Sequence, residues 1–444
     1  MNIIDRLKLL RTLWKYRLKP DKYKFRYALK IILLMVLVLS VPGQTFTQSS
    51  CNSLIDVSDN RRYFIYRDNK PFFWQGDTEW ELFHLFSIQE AKAFLLERKK
   101  QGFNIIQVMI TGVFPEWDIM KGVKHQHPVK AWLNQNPLTP NEKYFKRTDS
   151  IISIAAEYGI MLVIGVYHAM DVEKSRITIQ NAKAWATWLS QRYKNEKNII
   201  WSLYPHADSS SLPIIKEIIA GITEGDSGTH LITMHPDPSP KSSSFMQEEE
   251  WLSFNTLQTW SSKFINYEMV KTDYEKMPVK LVVNGEARYE GEDGTTPFET
   301  RRAGYWSYLA GGFYSYGHRD NWMAPLKWRN WYRSEGAMQM KIMGDIFRSL
   351  EWWKLVPDES VFVDSVNGNV TARSKDGDWI ITYLTNMNPL TLKLNTITAL
   401  KKVTAWWISP VTGKRKKIGT YDTLGNQTFS LPKDWEDAVL LIAK

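Results

Sequence analysis

The sequence predicts a (β/α)8 TIM barrel of the α/β class followed by a small all-β sandwich, on three observations. Eight short strand-like runs lie between residues 72 and 316, and several are apolar throughout, as strands buried on both faces should be. Amphipathic helical stretches separate most of them. Beyond Trp352-Trp353 the helical period stops, and short alternating runs divided by turn dipeptides replace it. Eight strands and about seven helices over roughly 280 residues fit a closed barrel better than an open doubly wound sheet. A nucleotide-binding open sheet would also want a Gly-rich turn after its first strand, and that turn reads Gln75-Gly76-Asp77-Thr78.

In chain order the expected strands are 72–76, 104–110, 160–166, 198–203, 230–235, 253–258, 279–286 and 312–316. Three helices open with capping boxes: 91–101 behind Ser87-Ile-Gln-Glu90, 142–158 behind Thr139-Pro140-Asn-Glu142, and 298–309 behind Thr296-Pro297-Phe-Glu299. The last two place Pro at the first helical position. Further helices are expected at 177–194, 212–223, 265–276 and 332–350, and none is clear between the fifth and sixth strands. The sandwich strands are expected at 361–363, 379–384, 391–394, 403–408 and 438–442, with turns at Asn367-Gly368, Asp376-Gly377 and Thr412-Gly413. The chain divides into residues 1–50, a targeting segment, residues 51–355, the barrel, and residues 356–444, the sandwich.

Composition narrows the function. A single Cys in 444 residues excludes a disulfide framework and a Cys-rich metal site. The net charge of +10 is concentrated at the N-terminus: residues 1–30 hold ten Lys/Arg and two Asp, so the rest of the chain carries only +2. A nucleic-acid groove therefore has no electrostatic support. The 20 Trp suggest a large aromatic core or an aromatic-lined ligand surface. After the basic stretch comes the apolar run 31–41, then Pro42-Gly43. It is about half the roughly 20 residues that a spanning helix needs. The order of basic region, short apolar core, breaker and small polar residues is that of a signal peptide. An uncleaved anchor, or a lipoprotein acylated at Cys51, are the alternatives. The expectation is an exported monomer, periplasmic or at the cell surface, whose one membrane contact would be an N-terminal tether.

Catalytic groups in a barrel cluster at the C-terminal ends of the strands. Read in order, those ends offer Asp77, Thr78 and Glu79, then Thr111 with Glu116 and Trp117, then Tyr167 and His168. Tyr204, His206 and Asp208 follow, then His235, Gln258 with Trp260, Glu286, and finally Tyr316, His318, Arg319 and Asp320. Glu286 is the sharpest, because it ends an apolar strand in Val-Val-Asn-Gly-Glu, where a carboxylate is costly without a partner or a task. Its bland reading is an ion pair with Arg288 or Arg301. A carboxylate on the seventh strand facing one on the fourth is the layout of retaining glycosidases. Asp77 is either a substrate ligand or, before Thr78-Glu-Trp-Glu81, a helix-opening residue. His168, His206, His235 and His318 raise a metal reading, but there is no His-x-His after the first strand and no His-Glu-x-x-His. Imidazoles that bind sugar hydroxyls fit better, and neither metal nor cofactor is expected. Trp80, Trp322, Trp328 and Trp331 are candidates to stack on sugar faces.

These residues carry a resemblance. Lys70-Pro-Phe-Phe-Trp-Gln-Gly-Asp-Thr-Glu-Trp-Glu-Leu-Phe-His84 resembles the opening of the apiosidase-like glycoside hydrolases, and Gln101-Gly-Phe-Asn-Ile-Ile-Gln107 their second strand. His230-Leu-Ile-Thr-Met-His-Pro236, Trp251-Leu-Ser-Phe-Asn255, Pro278-Val-Lys280, Asn284-Gly-Glu-Ala-Arg-Tyr-Glu290 and Tyr316-Gly-His318 match later blocks in the same order. Trp406-Trp-Ile-Ser-Pro-Val-Thr-Gly413 is similar to a C-terminal domain of that family described as collagen-binding. The resemblance implies a barrel that cleaves apiosyl or related linkages in plant pectin with retention of configuration. It makes Glu286 the nucleophile. The strand ends themselves offer Asp77, Trp80, His168, His206, His235, Gln258, Tyr316, His318 and Trp322 as the groups expected to hold an oligosaccharide or polysaccharide. One departure stands out. The family's fourth strand commonly ends in Trp-x-x-Gly-Gly-Asp, whose Asp is the acid/base. Here the strand reads Trp201-Ser-Leu-Tyr-Pro-His206-Ala-Asp208, with His206 in direct register. The acid is expected to be Asp208, two residues on; His206, another carboxylate such as Glu116, or no acid at all are the alternatives. Loss of the acid would leave a non-catalytic carbohydrate-binding homologue.

Overall fold

The computed structural model describes residues 55–113, 129–168, 176–204, 209–237, 241–260, 265–320, 331–364, 368–386 and 388–444. The expected signal or anchor, with Cys51, lies outside them.

Three short strands come first: β1 (Ile55–Val57), β2 (Phe64–Tyr66) and β3 (Pro71–Phe72), paired antiparallel. They press the fully buried Phe64 against Trp74 and Phe254, each 5.1 Å away between ring centroids, and against Phe313. These three rings precede or begin barrel strands, so Phe64 plugs the end where the strands start. The strand expected at 72–76 is therefore divided. Its first residue completes the plug, and the barrel opens with β4 (Gln75–Thr78).

Strands and helices then alternate as expected, with one addition: a short helix, Ser242–Met246, also links the fifth and sixth barrel strands, where none was foreseen. After α1 (Leu82–Leu85) and α2 (Ile88–Lys100) comes β5 (Ile105–Met109); after α3 (Glu142–Glu157), β6 (Met161–His168); and after α4 (Ile179–Tyr193), β7 (Ile199–Tyr204). Next are α5 (Leu212–Asp226) and β8 (Ile232–Met234), α6 (Ser242–Met246) and β9 (Asn255–Gln258), and α7 (Asn266–Glu275) and β10 (Val282–Glu286). The barrel ends with α8 (Pro297–Leu309), β11 (Phe313–Tyr316) and α9 (Glu335–Arg348). The capping boxes of Ser87 with Glu90 and of Thr296 with Glu299 form, the second with Pro297 as the first helical residue. The third does not. Asn141 caps α3 by accepting from the Lys143 N–H, while Thr139 Oγ1 donates to the Leu133 and Asn136 carbonyls in the preceding loop. Thr78 and Glu81 form no box either, since Glu81 starts α1 without a side-chain cap.

The eight strands run parallel in the order β8-β7-β6-β5-β4-β11-β10-β9. The ring closes between β8 and β9 with little ladder: the Ser253 N–H donates to the Ile232 carbonyl, and Thr233 Oγ1 meets the Phe254 carbonyl and Thr256 Oγ1 at 2.9 and 2.8 Å. Strand alternation sorts the apolar residues into two layers. Ile105, Met161, Val163, Ile200 and Val283 join Trp74 and Phe64 inside the ring. Ile106, Val108, Leu162 and Ile164 face α2 to α4. Each such side chain stabilises the fold by about 1.5–3 kcal/mol relative to exposure.

The C-terminal part is a two-layered antiparallel sandwich. One sheet joins β12 (Leu355–Pro357), β13 (Val370–Ser374), β14 (Ile380–Leu384), β16 (Lys402–Ile408), β17 (Arg415–Asp422) and β19 (Ala438–Ala443), in the order β12-β13-β14-β19-β16-β17. The second pairs β15 (Leu390–Lys393) with β18 (Asn426–Phe429). Ile380, Leu384, Leu392, Phe429 and Leu440 fill the space between them. The expected strand 361–363 reduces to one bridge, Phe362 with Leu392. The opposite face of the large sheet seats on α8: Tyr383 stacks on Tyr305 at 4.4 Å, and Arg301 grips Asp437 through Nε at 2.7 Å and Nη2 at 2.9 Å.

Candidate active site

Glu286 ends β10, and the local backbone explains where it points. Asn284 faces outward: its amide donates to Ser307 Oγ on α8, and its oxygen accepts from Thr259 Oγ1. Gly285 faces inward, where an added Cβ would lie 2.6 Å from Thr256 Cγ2 and 3.2 Å from Gln107 Oε1. Regular alternation would send the next side chain back to the helices. The pairing with β9 instead shifts register between Asn284 and Glu286, and such a bulge re-aims the side chain that follows it. Glu286, 6 % exposed, thereby comes to lie with its Oε2 3.3 Å from His235 Nε2. That is an ion-pair separation; the angle between the groups falls short of a hydrogen bond.

His235 is held on its other side. Its Nδ1 is 3.1 Å from the Pro236 carbonyl, which can only accept, so Nδ1 carries a hydrogen and Nε2 is the nitrogen that meets Glu286. The Trp80 ring stands edge-on to His235 at 5.5 Å, and Trp80 Nε1 donates to the Tyr289 hydroxyl at 2.9 Å. Tyr289 packs edge-on to Trp260 at 5.1 Å. Gln107, from β5, underlies this group and donates to Thr78 Oγ1 and to the Gly285 carbonyl at 2.6 Å. Gln258, the register partner of Glu286, is buried with its Oε1 unpaired. His168 is buried at the end of β6.

His318 sits beyond β11. Its Nδ1 accepts the Asp320 N–H, which leaves the ring hydrogen on Nε2, and Trp331 stacks on it at 5.0 Å. Burial holds its pKa below the ordinary imidazole value, against the pull of the Glu290 and Asp320 carboxylates.

Two expected sugar ligands are placed elsewhere. Asp77 and Tyr316 are register partners on neighbouring strands, and strand alternation turns both toward the helices. Asp77 is fully buried in an ion pair with Arg98 Nε at 2.6 Å. The Tyr316 hydroxyl donates to Glu290 Oε2 at 2.5 Å and meets Ser334 Oγ at 2.8 Å. Both are corrected from substrate ligands to parts of the wall. Asp208, His206, Trp322, Glu116, Trp117 and Trp328 lie outside the described residues. Neither Arg288 nor Arg301 takes up Glu286: Arg288 binds the Trp260 carbonyl and Asp293, and Arg301 binds Asp437.

The residues not foreseen are Gln107, Tyr289 and Glu292. Glu292 lies in the turn between β10 and α8. Burial, the Glu286 carboxylate and Asp293 push its carboxyl up to about 7, against the pull of Arg319 and Arg288. Glu79 is also held well above the usual carboxylate range, first by burial and then by Asp77 and Glu81.

A buried carboxylate at the C-terminal end of the seventh barrel strand, braced by an imidazole and ringed by aromatics, can attack an electrophilic carbon and bind sugar faces. The model of the apiosidase-like catalytic domain family matches residues 58–354, and that of a proposed collagen-binding domain of a collagenase matches residues 356–443. No curated protein matches. Among solved structures, one described as a glycoside hydrolase is similar at 24 % identity and TM-score 0.77, over 88 % of this chain and 97 % of that one. A glycoside hydrolase family 5 structure from Bacteroides vulgatus ATCC 8482 is similar at 24 % identity and TM-score 0.78, over 89 % and 93 %.

Proposed function

The chain belongs to the apiosidase-like family of glycoside hydrolases, and we propose that it is exported and cleaves apiosyl or related linkages of plant pectic glycans with retention of configuration. The observation that carries this reading is the inward-turned Glu286 against His235 on the seventh barrel strand. Its carboxylate attacks the anomeric carbon, and the glycosidic bond breaks with its electron pair on the leaving oxygen. A proton donor across the mouth protonates that oxygen, then takes a proton from the water that displaces Glu286. Asp208 is the donor the sequence offers. A retaining pair stands about 5–5.5 Å apart. His168, His206, His235, Gln258 and His318 would hold hydroxyls, and Trp80 and Trp322 sugar faces.

The test is incubation of the purified chain with defined rhamnogalacturonan fragments, followed by product and anomer analysis. Release of a sugar with its starting configuration by the wild type, and none by Glu286→Gln, supports the reading. An inverted product would exclude the covalent route. A second reading, a non-catalytic carbohydrate-binding homologue, is favoured by His206 standing in register with the family's acid. It requires binding of the same fragments without any product.

A further inference from the structure

We propose that Gln107 is a positioning residue for the nucleophile: its amide, reaching from β5 through the barrel interior, pins the backbone from which Glu286 projects. The proposal rests on the glycosidase reading of Glu286 and deepens it.

Gln107 stands apart from the layer it belongs to. Its register partners are Thr78 on β4 and Val163 on β6, and Ile105, two residues before it, faces the same interior. The inward residue of β10 just before Gly285 is Val283. At 2 % exposure, an amide among these side chains is costly unless both of its hydrogens are met. They are met. Gln107 Nε2 donates to Thr78 Oγ1 at 3.0 Å and to the Gly285 carbonyl at 2.6 Å. A carbonyl can only accept, so the nitrogen of the amide, and not its oxygen, faces Gly285.

The strands β5 and β10 are not neighbours, since β4 and β11 stand between them in the ring. The bond is therefore no part of a ladder, and the residue at its far end explains it. β9 pairs with Asn284 and with Glu286 and skips Gly285, while the pairing with β11 stops at Asn284. Gly285 thus has no register partner on either side, and the Gln107 amide takes the place of one.

A peptide unit is planar, so the Gly285 carbonyl and the Glu286 N–H move together. Holding that carbonyl holds the Glu286 Cα. On the other side of the same Cα, the Glu286 carbonyl accepts the Thr259 N–H at 2.8 Å. Both peptide planes that flank the nucleophile are fixed in this way, and its side chain is left to meet His235 Nε2 at 3.3 Å. Attack needs the reacting atoms about 3–3.5 Å apart and aligned, and a displacement of about 1 Å can cost about 100-fold. Gln107 acts through the Gly285 backbone, so its loss should lower kcat and leave substrate binding as it was.

The experiment compares the full-length wild type with three variants. Gln107→Met keeps the length of the side chain and loses both donors. Val163→Ala opens a void in the same layer and removes no hydrogen bond. Glu286→Gln removes the nucleophile. Substrates are an apiosyl-bearing rhamnogalacturonan fragment and a dinitrophenyl apioside, whose leaving group needs no proton. Gln107→Met should lower kcat about 10- to 100-fold on both, because placement of the nucleophile matters whatever departs, and should keep KM within about twofold. Val163→Ala should keep kcat within about twofold even where denaturant titration shows it destabilised. A wild-type kcat in Gln107→Met, a rise in its KM alone, or an equal loss of kcat in Val163→Ala overturns the positioning role and leaves the glycosidase reading standing. Full activity in Glu286→Gln overturns the glycosidase reading and the positioning role with it. A crystal structure of Gln107→Met needs no substrate. Glu286 should part from His235, and a pair still 3.3 Å apart overturns the positioning role alone.

Discussion

His235 Nε2 stands 3.3 Å from Glu286 Oε2, and the Pro236 carbonyl fixes which ring nitrogen faces the carboxylate. The imidazole thus braces the nucleophile from the β8 side of the barrel. Replacing Glu286 by Gln should lower turnover more than about 10³-fold, as loss of a covalent nucleophile does. Replacing His235 by Ala should cost about 10- to 100-fold in kcat, the range of a nucleophile left less accurately placed, with circular dichroism unchanged.

Gly285 lies at the bulge, between the two residues where the register with β9 shifts. A methyl group there meets Thr256 Cγ2 at 2.6 Å, inside a strand packed on both faces. Gly285→Ala should destabilise the barrel by about 1–3 kcal/mol in chemical denaturation. It should also reduce activity beyond what the lost stability explains, because Glu286 shifts with it.

The joint between barrel and sandwich depends on a buried ion pair. Arg301 and Asp437 are both 2 % exposed, and Tyr383 adds a hydrogen bond to Asp437 at 2.5 Å. Arg301→Ala leaves the Asp437 carboxylate stranded, and should cost about 3–5 kcal/mol by denaturant titration. Arg301→Ala together with Asp437→Ala should recover part of that loss.

Glu292 also makes stability depend on pH. Its folded pKa of about 7 lies above its unfolded value near 4.5, so between those values the folded state binds the extra proton. Its contribution is complete below about pH 4.5 and is lost as pH rises through 7. Glu292→Gln should therefore raise the Tm relative to wild type at pH 8, and change it little at pH 4. Equal shifts at both values would count against a proton held there.

The barrel was readable because strands buried on both faces leave apolar runs, and Glu286 because a carboxylate closing such a run stands out. Alternation was harder to read in the short β4 and β11, which is why Asp77 and Tyr316 looked like ligands when both point outward. The strand Arg415–Asp422 was missed because an edge strand rich in exposed Lys and Arg has no apolar period. Glu292 had no signal at all. In sequence, Glu-Asp-Gly after a strand reads as a solvated turn, and only the fold brings it under the influence of Glu286.

The seam between β8 and β9 is stitched largely through the hydroxyls of Thr233, Thr256 and Ser253, and it separates the strand leading to His235 from the strand that ends in Gln258. A guest gripped by both residues would bridge the loosest junction of the cask and act as an added hoop. Occupancy would then tighten the whole wall, and the tightening would be felt first in the amides of 232–235 and 253–258.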